Sequence, residues 1–348
     1  MRVALCVKSI DGTGGIQRNY KLWYEMFKKR GVETYLFILE EPKYEQLDDH
    51  IILLEGKNIK QKGLSLQKHL KSLGRFDLFL LNAEYLKGYI NQPYYITVHN
   101  TWEISGNLLK KLKRSRALKQ KYYNEHVIGI SKSVVDNITD NLKIQVKSKH
   151  VVYAPHNIER VRKLADEKEI NGDFIVSVGS LIKRKNHELL LKSFAILDSD
   201  LDLFIVGEGP EKENLQKLAK KLGIEKRVKF TGFEQNPYPY IKNAKVLVSS
   251  SNSEGLPRVI VESLILNTPV VSTYSSEGVY EVMEKELKEF VVPKNDEKTL
   301  SEKIKKALES YPEIKEKYYK KFSEEESFKR FVSLSSGCGT SSTDLGIL

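Results

Sequence analysis

Short apolar runs and longer amphipathic stretches alternate along the chain in two similar series. In the first series, mainly apolar runs predict buried strands at 2–9, 32–39, 77–82, 94–100, 126–131 and 150–157. Apolar residues at helical spacing between these runs predict helices at 18–29, 59–73 and 106–124. Strands that alternate with helices are typical of a parallel α/β sheet.

The second series begins after a polar, charged segment at 158–172, which we interpret as a linker. Its apolar runs predict strands at 173–179, 202–209, 227–233, 245–251, 268–273 and 290–293. Its amphipathic stretches predict helices at 186–197, 210–223 and 259–266. We therefore predict an α/β fold of two doubly wound, Rossmann-like halves.

The composition excludes several classes of protein. With 40% hydrophobic residues among 348, the chain can bury a core, so a disordered chain is excluded. No apolar run approaches the roughly 20 residues of a membrane span, and the amino terminus turns polar too early for a signal peptide. Cys6 and Cys338 are the only cysteines, so neither a disulfide framework nor a zinc cluster is expected. We expect a cytoplasmic protein whose Ser/Gly/Thr-rich segment 333–348 is a flexible tail outside the fold.

The positive charge lies in the first half of the chain. The net charge of the whole chain is +11, and residues 1–163 hold 29 Lys and Arg against 16 Asp and Glu. Residues 164–348 hold 28 against 30. This asymmetry predicts an anionic partner for the first half, whether nucleic acid, a membrane surface or an anionic substrate.

A glycine-rich loop follows the first predicted strand. Gly12, Gly14 and Gly15 lie where the backbone and a helix N-terminus can approach an anion. The dinucleotide-binding pattern G-x-G-x-x-G is broken at Gln17, so a dehydrogenase is disfavoured. A tight turn without a ligand explains the loop equally well when it is taken alone.

Two glutamates provide the sharpest chemical signal, in the segment SSNSEGLPRVIVE. Pro257 suits the first turn of a helix, which places Glu254 in the loop ahead of it and Glu262 on its second turn. Both carboxylates could then face one cleft at the carboxyl end of strand 245–251 and accept hydrogen bonds from sugar hydroxyls. A solvated helix face is the alternative, but Glu262 lies in the apolar run VIVESLIL, where a carboxylate needs a partner.

These motifs together resemble the family-4 retaining glycosyltransferases of GT-B architecture. The family's E-x7-E element matches Glu254 and Glu262, followed by NTPVVST at 267–273. Further matches are VGSLIKRKN at 178–186, FIVGEGP at 204–210 and GGIQR at 14–18. The resemblance covers about residues 1–330 and implies two Rossmann-like domains that face each other across a cleft.

The resemblance also implies that different segments of the chain bind different substrates. It assigns residues 1–160 to an acceptor-binding domain and 161–315 to a nucleotide-sugar-binding domain. Residues 316–332 are expected to form a helix that crosses back to the first domain.

The resemblance also implies roles for individual residues. Glu254 would contact hydroxyls of the donor sugar, Glu262 the ribose, and Lys185 the diphosphate. The family's arginine is replaced by Ser180, and we predict that Arg184 supplies the missing guanidinium. The predicted catalytic residues are His99, Lys185 and Glu254. The predicted donor-binding residues are Gly14, Gly15, Arg184, Lys185, Glu254, Gly255, Leu256, Pro257, Arg258 and Glu262.

The sequence EGLP at 254–257 resembles a subgroup that acts in surface polysaccharide, lipid-linked oligosaccharide and lipopolysaccharide synthesis. It implies transfer of a hexose-type sugar, with retention, from a nucleotide sugar to a saccharide acceptor that is carried on a lipid. A UDP-sugar is favoured by its frequency in the family. No D-x-D element precedes a donor loop, so we expect neither a metal nor another cofactor.

The segment 107–121 contains seven Lys and Arg and no acid. Leu108, Leu109, Leu112 and Leu118 recur at helical spacing, which fits a solvated helix with a buried apolar stripe. The alternative is a surface that rests on the anionic inner face of the cytoplasmic membrane. Its contacts would come from Lys110, Lys111, Lys113, Arg114 and Arg116. Nucleic acid is disfavoured as a partner because no helix-turn-helix, zinc finger or RNP-like motif accompanies these cations.

Two other functions remain open from the sequence. A sugar-nucleotide epimerase would share the GT-B fold, whereas a phosphorylase would be longer and carry a pyridoxal lysine motif. A non-catalytic protein that binds anions through its basic half is the alternative from another class. Nucleotide binding by the second half distinguishes the enzymes from the binding protein.

Overall fold

The structure is a computed structural model that describes residues 1–11, 14–42, 48–102 and 107–336. The chain divides into two compact units. Unit 1 comprises Met1–Pro155 and the chain from Glu324 onward, and unit 2 comprises His156–Ser323.

Unit 1 is built on a seven-stranded parallel sheet. Its strands are β1 (Arg2–Val7), β2 (Glu33–Ile38), β3 (Ile51–Leu53), β4 (Leu78–Leu81), β5 (Tyr95–Val98), β6 (His126–Gly129) and β7 (Ser148–Val151). The helices before residue 156 are α1 (Gly15–Lys29), α2 (Ile59–Leu73), α3 (Leu108–Tyr122) and α4 (Lys132–Asp136).

The strand order in unit 1 is β3-β2-β1-β4-β5-β6-β7. The central strands are buried on both faces, which is why they read as continuous apolar runs such as LFLL in β4. The order reverses between β1 and β4, so the loops after these two strands separate and leave room for side chains.

Unit 2 is built on a six-stranded parallel sheet. Its strands are β8 (Phe174–Val178), β9 (Asp202–Val206), β10 (Val228–Gly232), β11 (Val246–Ser249), β12 (Val270–Thr273) and β13 (Val291–Val292). Its helices are α5 (Ile158–Ala165), α6 (His187–Ala195), α7 (Lys212–Lys221), α8 (Tyr238–Asn243), α9 (Arg258–Ile265), α10 (Glu277–Val282), α11 (Glu297–Glu309) and α12 (Lys317–Lys320).

The strand order in unit 2 is β10-β9-β8-β11-β12-β13, with the reversal between β8 and β11. The loops after β8 and β9 pack closely: a Cβ added at Gly207 would lie 2.0 Å from the carbonyl oxygen of Gly179. Gly207 also has a φ of +147°, so only glycine fits at this position without strain.

After unit 2 the chain returns to unit 1 with α13 (Glu324–Ser335). Phe331 of this helix packs on α1, with its ring centroid 5.5 Å from that of Trp23 and 5.4 Å from that of Phe27. The predicted helix 316–332 thus corresponds to two helices, α12 in unit 2 and α13 in unit 1.

The prediction of two parallel α/β halves is confirmed, and the differences are local. The expected linker 158–172 contains α5, whose Val161 and Ala165 are buried between charged neighbours. The strand expected at 150–157 begins earlier, at Ser148. The short strand β3 and the helices α8, α10 and α11 were not predicted. Of the expected tail, residues 333–335 continue α13, whereas Cys338 and the rest of 337–348 lie outside the described residues.

Candidate functional site

The residues that the sequence singled out in unit 2 lie at the reversal of its sheet. The loop after β8 carries Arg184 and Lys185, and the loop after β11 carries Glu254. Because β8 and β11 are adjacent and parallel, both loops leave the carboxyl edge of the sheet side by side. In doubly wound sheets this is where ligands bind.

The backbone of these two loops is held together by hydrogen bonds. The amide N–H of Asn252 donates to the carbonyl oxygen of Arg184 at 2.8 Å, and the Ser250 hydroxyl donates to that of Lys185 at 3.1 Å. The backbone of Asn186 has a left-handed φ of +49°, and its side-chain amide donates a hydrogen bond to the side chain of Asn252. The basic segment is therefore fixed against the loop that carries Glu254.

Glu254 pairs with two cations of the facing loop. Lys185 Nζ lies 2.6 Å from Oε1, and Arg184 Nη1 lies 3.2 Å from Oε2. The Ser251 hydroxyl donates to Oε1 at 2.8 Å. The Glu254 side chain is only 10% exposed, whereas that of Arg184 is 49% exposed. The structure thus brings together three predicted residues and adds Ser251.

The cations keep Glu254 ionised. Burial alone would raise the pKa of this carboxyl group, but the charges and hydrogen bonds of Lys185, Arg184 and Ser251 hold the pKa below its usual value. The cluster therefore contains two cations and one carboxylate at neutral pH, and its remaining positive charge suits an anion.

Glu262 is buried in a different set of contacts. Its Oε1 lies 3.9 Å from Arg258 Nε, 4.0 Å from His156 Nε2 and 3.5 Å from the Tyr238 hydroxyl. The sequence required a partner for this carboxylate, and the structure provides three neighbours. Of the predicted donor-binding residues, Arg258 and Glu262 thus lie together.

The segment between the two glutamates packs against the protein. Leu256 and Pro257 are buried, and Pro257 precedes the first residue of α9. The carbonyl oxygen of Gly255 accepts a hydrogen bond from the Ser276 hydroxyl at 3.3 Å. The side chains of Leu256 and Pro257 thus stabilise the loop, and their predicted donor contacts stay predictions.

Unit 1 has a cavity of about 180 Å³ at the reversal of its own sheet. It lies beyond β1, β4 and β5 and is lined mainly by polar and aromatic side chains, among them Lys8, Asn82, Glu84, His99, Trp102 and Lys121. Lys121 Nζ forms an ion pair with Glu84 Oε1 at 2.8 Å, and both side chains are largely buried. Such a lining suits a small polar ligand.

His99 lies against this cavity with both ring nitrogens engaged. The Asn19 amide donates to Nδ1 at 3.2 Å, which leaves Nε2 to donate to the Thr97 hydroxyl at 3.1 Å. The Tyr20 hydroxyl lies 2.9 Å from the same Thr97 oxygen, and the Trp23 ring packs 5.6 Å from the imidazole. Burial, with a smaller effect of the Lys121 charge, lowers the pKa of His99 to about 3. The imidazole is therefore neutral, and its predicted catalytic role stays a prediction.

The glycine loop of unit 1 is described from Gly14 onward, and Gly12 lies outside the described residues. Gly14 precedes α1 in an extended conformation, and the amide of Arg18 donates to its carbonyl oxygen. A Cβ added at Gly15 would meet no atom within 4 Å. Packing therefore does not require glycine at position 15, and the predicted ligand contact of this loop stays a prediction.

Helix α3 differs from the predicted helix with a buried leucine stripe. Leu118 is buried, but Leu108, Leu109 and Leu112 are 72%, 77% and 58% exposed. The five predicted contact residues of this helix are exposed with them, namely Lys110, Lys111, Lys113, Arg114 and Arg116. The amino-terminal turns of α3 thus present apolar and cationic side chains to solvent together.

Sequence reasoning missed several residues of these clusters. Ser251 had a signal, since it stands in the small polar run before Glu254. His156 and Tyr238 lie 106 and 24 positions from Glu262 in sequence, and no motif connects them to it. Asn19 and Thr97 are buried polar residues whose contact with His99 depends on the fold.

Within residues 1–11, 14–42, 48–102 and 107–336, no group of three or more His, Cys, Asp or Glu is placed to hold a metal ion. None of the helices in these ranges has both the length and the apolar character that a bilayer crossing requires.

The sequence profile of the family described as glycosyl transferases group 1 matches residues 157–326. This region contains the ion-pair cluster of Arg184, Lys185 and Glu254. It also contains Glu262 with its neighbours Arg258 and Tyr238, whereas His156 precedes it. That part of the chain is similar to the glycosyl transferases of group 1.

Curated relatives match about half of the chain or less. A Campylobacter jejuni protein is 32% identical over 53% of this chain and 50% of its own length. It is named N-acetylgalactosamine-N,N'-diacetylbacillosaminyl-diphospho-undecaprenol 4-alpha-N-acetylgalactosaminyltransferase. The lipopolysaccharide core biosynthesis glycosyltransferase LpsE of Rhizobium meliloti is 40% identical over 29% of each chain. The chain thus spans half the length, or less, of these relatives.

Solved structures resemble the chain over nearly its whole length. HepE of Anabaena, in complex with UDP-glucose, has a TM-score of 0.76 at 16% identity and covers 97% of this chain and 100% of its own. The apo form of the lipopolysaccharide outer core galactosyltransferase WaaB has a TM-score of 0.72 at 19% identity, with the same coverage. These likenesses show the fold, which is the GT-B class predicted from the sequence.

Proposed function

We propose that the protein is a retaining glycosyltransferase that moves a hexose-type sugar from a nucleotide sugar to a saccharide acceptor carried on a lipid. Cell-surface glycan or lipopolysaccharide synthesis is the expected setting. The observation that carries this proposal is the cluster of Lys185, Arg184 and Glu254 at the sheet reversal of the group 1 region. The names of the Campylobacter jejuni and Rhizobium meliloti relatives support the acceptor class.

Lys185 and Arg184 would stabilise the departing nucleoside diphosphate. As the glycosidic bond to the donor breaks, negative charge develops on the diphosphate, and fixed cations lower the energy of that state. Arg184 reaches Glu254 from a position next to Lys185, which fits its predicted substitution for the arginine absent at Ser180. We propose that these cations replace a metal ion, and therefore that turnover is independent of divalent metal.

Glu254 and Glu262 would bind two different parts of the donor. Their separate surroundings support this division, because Glu254 lies with the cations and Glu262 lies with Arg258, His156 and Tyr238. We assign the sugar hydroxyls to Glu254 and the ribose hydroxyls of the nucleotide to Glu262. UDP is the proposed nucleotide, and the UDP-glucose complex of the structurally similar HepE supports it.

The cavity of unit 1 would receive a saccharide. Its volume and its polar and aromatic lining suit a sugar ring. His99 would act there as a neutral hydrogen-bonding group, since burial keeps its imidazole uncharged. No carboxylate in the described residues stands out as a covalent nucleophile, so we propose that the leaving phosphate oxygen accepts the proton of the acceptor hydroxyl on the same face of the sugar.

We further propose that α3 rests on an anionic membrane that carries the lipid-linked acceptor. Three exposed leucines beside five exposed cations combine insertion with attraction to phosphate headgroups. Each Lys or Arg near such a surface contributes about 1 kcal/mol to binding. Peripheral binding at the inner face of the cytoplasmic membrane follows from this proposal.

The proposal is tested by incubating the protein with UDP-sugars and GDP-sugars, in EDTA, together with a polyprenyl-diphosphate-linked saccharide. We expect a nucleoside diphosphate to be released and an α-linked product to form from an α-linked donor, both lost in Lys185→Ala. Conversion of the nucleotide sugar without an acceptor would instead identify an epimerase. If the protein binds vesicles but converts none of these nucleotide sugars, the non-catalytic alternative is identified.

A further inference from the structure

The carboxylate of Glu254 occupies the same cations that a donor diphosphate needs. Each carboxylate oxygen has its own cation, Lys185 at 2.6 Å from Oε1 and Arg184 at 3.2 Å from Oε2. These cations are thus already paired with an anion of the protein itself.

The two sides of this ion pair differ in how firmly they are held. Glu254 is nearly buried and accepts a further hydrogen bond from Ser251. The side chains of Lys185 and Arg184 are 21% and 49% exposed, so their charged groups border on solvent. The carboxylate is therefore the fixed member, and the cations are the members that can change partners.

An incoming diphosphate would compete with Glu254 for these cations. Both are anions, and two anions on one pair of cations repel each other strongly where solvent is partly excluded. Arg184 has a further anchor, since its Nη1 also donates to the carbonyl oxygen of Ser253 at 2.8 Å. Lys185 can therefore exchange Glu254 for a diphosphate more easily than Arg184, because Arg184 would also have to give up its hydrogen bond to Ser253.

We propose that Glu254 is an internal counterion of the donor site. It pairs with Lys185 and Arg184 until a donor arrives, and these two side chains then exchange the carboxylate for the diphosphate. The inference rests on the proposed function, because it presupposes that a nucleoside diphosphate binds here. The carboxylate, released from its cations, becomes available to sugar hydroxyls, so sugar recognition by Glu254 follows the arrival of the diphosphate.

This exchange makes a prediction that a purely sugar-binding Glu254 does not make. UDP and inorganic pyrophosphate carry no transferable sugar, so a glutamate that only contacts sugar hydroxyls leaves their affinity unchanged. An internal counterion weakens their binding, and its neutralisation strengthens it. Neutralisation of Glu254 is expected to raise the affinity for these ligands on the order of tenfold, because it removes one competing charge from a partly exposed site.

The test is calorimetric titration of UDP and of pyrophosphate into the wild type, Glu254→Gln, Glu254→Ala and Glu254→Asp. Both uncharged variants are expected to bind both ligands about tenfold more tightly, whereas Glu254→Asp, which keeps the charge, shows no comparable gain. In a Lys185→Ala background the gain from Glu254→Gln should largely disappear. Thermal unfolding of each variant checks that it is folded.

The outcomes separate the inference from the proposed function. If the wild type binds UDP but neither uncharged variant binds it more tightly, Glu254 is no counterion and the inference is overturned. If the gain persists undiminished without Lys185, the exchange does not occur at this cation and the inference is equally overturned. If the folded wild type binds neither UDP nor GDP, the proposed function itself fails.

Discussion

Arg184 and Lys185 show how one residue position changes the chemistry of a site. Ser180 stands where the resembled family has an arginine, and the structure provides a guanidinium four positions later, 3.2 Å from Glu254. Its neighbour Lys183 is also a cation and also exposed, yet the ion pairs to Glu254 come from the next two residues. The position of the charge, and not the number of cations in the segment, therefore defines the site.

Arg184→Ala is expected to lower kcat/KM by about one to two orders of magnitude, because one of two cations on the leaving diphosphate is lost. Lys183→Ala is the matched control, since it removes an adjacent exposed cation and should change kcat/KM by less than about twofold. Steady-state kinetics of both variants with the same donor and acceptor measure this. Normal turnover of Arg184→Ala would show that it does not replace the missing arginine.

The buried His99 leads us to predict how the stability of the protein depends on pH. Because burial lowers its pKa to about 3, the unfolded chain, with a pKa near 6.5 for this side chain, binds its proton first as the pH falls. The contribution of His99 to stability is thus fully present above pH 6.5 and is lost between pH 6.5 and 3. The loss amounts to on the order of 1 kcal/mol per pH unit in that range.

We expect His99→Gln to be less stable than the wild type at pH 7, with a free energy of unfolding that falls less steeply between pH 6.5 and 4.5. Urea unfolding at several pH values measures the two slopes. His69→Gln on α2 serves as the control for removal of a histidine outside this cluster. Equal slopes for His99→Gln and the wild type would contradict a buried neutral imidazole.

At the scale of single elements, α3 shows where sequence periodicity stops being informative. Helical spacing of leucines identifies the apolar face of a helix, but it does not say whether the protein covers that face. Here Leu118 is covered, whereas Leu108, Leu109 and Leu112 remain exposed next to cations. An uncovered apolar face with cations around it is typical of a helix that binds a membrane surface.

Binding of the protein to vesicles tests α3 directly. Substitution of Lys110, Lys111 and Lys113 by Gln should weaken binding to vesicles with anionic lipid by about a hundredfold, since each charge contributes about 1 kcal/mol. Binding should also weaken as salt rises. Co-sedimentation with vesicles of anionic and of purely zwitterionic lipid measures this.

The matched control replaces Lys217, Lys220 and Lys221 of α7, which are exposed lysines in unit 2, by Gln. It changes the net charge equally, so it should leave binding nearly unchanged. Equal losses in both triple variants would mean that the total charge, and not α3, determines binding. Replacing Leu108, Leu109 and Leu112 by Gln should weaken binding independently of salt.

The elements themselves were largely predictable, since parallel strands buried on both faces leave continuous apolar runs in the sequence. Two of the failures have a physical reason. The strand β3 has only three residues, all partly buried, and α5 has two buried residues among charged ones. Neither therefore leaves a clear apolar pattern.

Some of the residues of the candidate site were predictable, but their contacts were not. The glutamates and the basic segment follow from motifs, whereas Lys185 and Glu254 are 69 positions apart and meet only because β8 and β11 are neighbours in the sheet. The double ion pair, and hence the proposed exchange of counterions, could not be read from the sequence. The same holds for His156 and Tyr238 beside Glu262.

At the scale of the whole molecule, both units concentrate polar side chains where their sheets reverse. In unit 1 this is the cavity beyond β1 and β4, with Glu84, His99 and Lys121. In unit 2 it is the cluster beyond β8 and β11. The excess of positive charge, by contrast, lies in residues 1–163 and so accompanies the proposed acceptor and membrane contacts. The proposed function depends on nucleotide binding by unit 2.

The most direct test is calorimetric titration of UDP, without divalent metal, into the wild type, Lys185→Ala and Glu262→Ala. We predict saturable one-site binding to the wild type that is weakened at least about tenfold in each variant, because one loses a diphosphate contact and the other a ribose contact. Glu213→Ala on the exposed side of α7 is the control and should bind as the wild type does. Absence of binding of both UDP and GDP to the folded wild type, or equal binding by all four proteins, would contradict the proposed donor site.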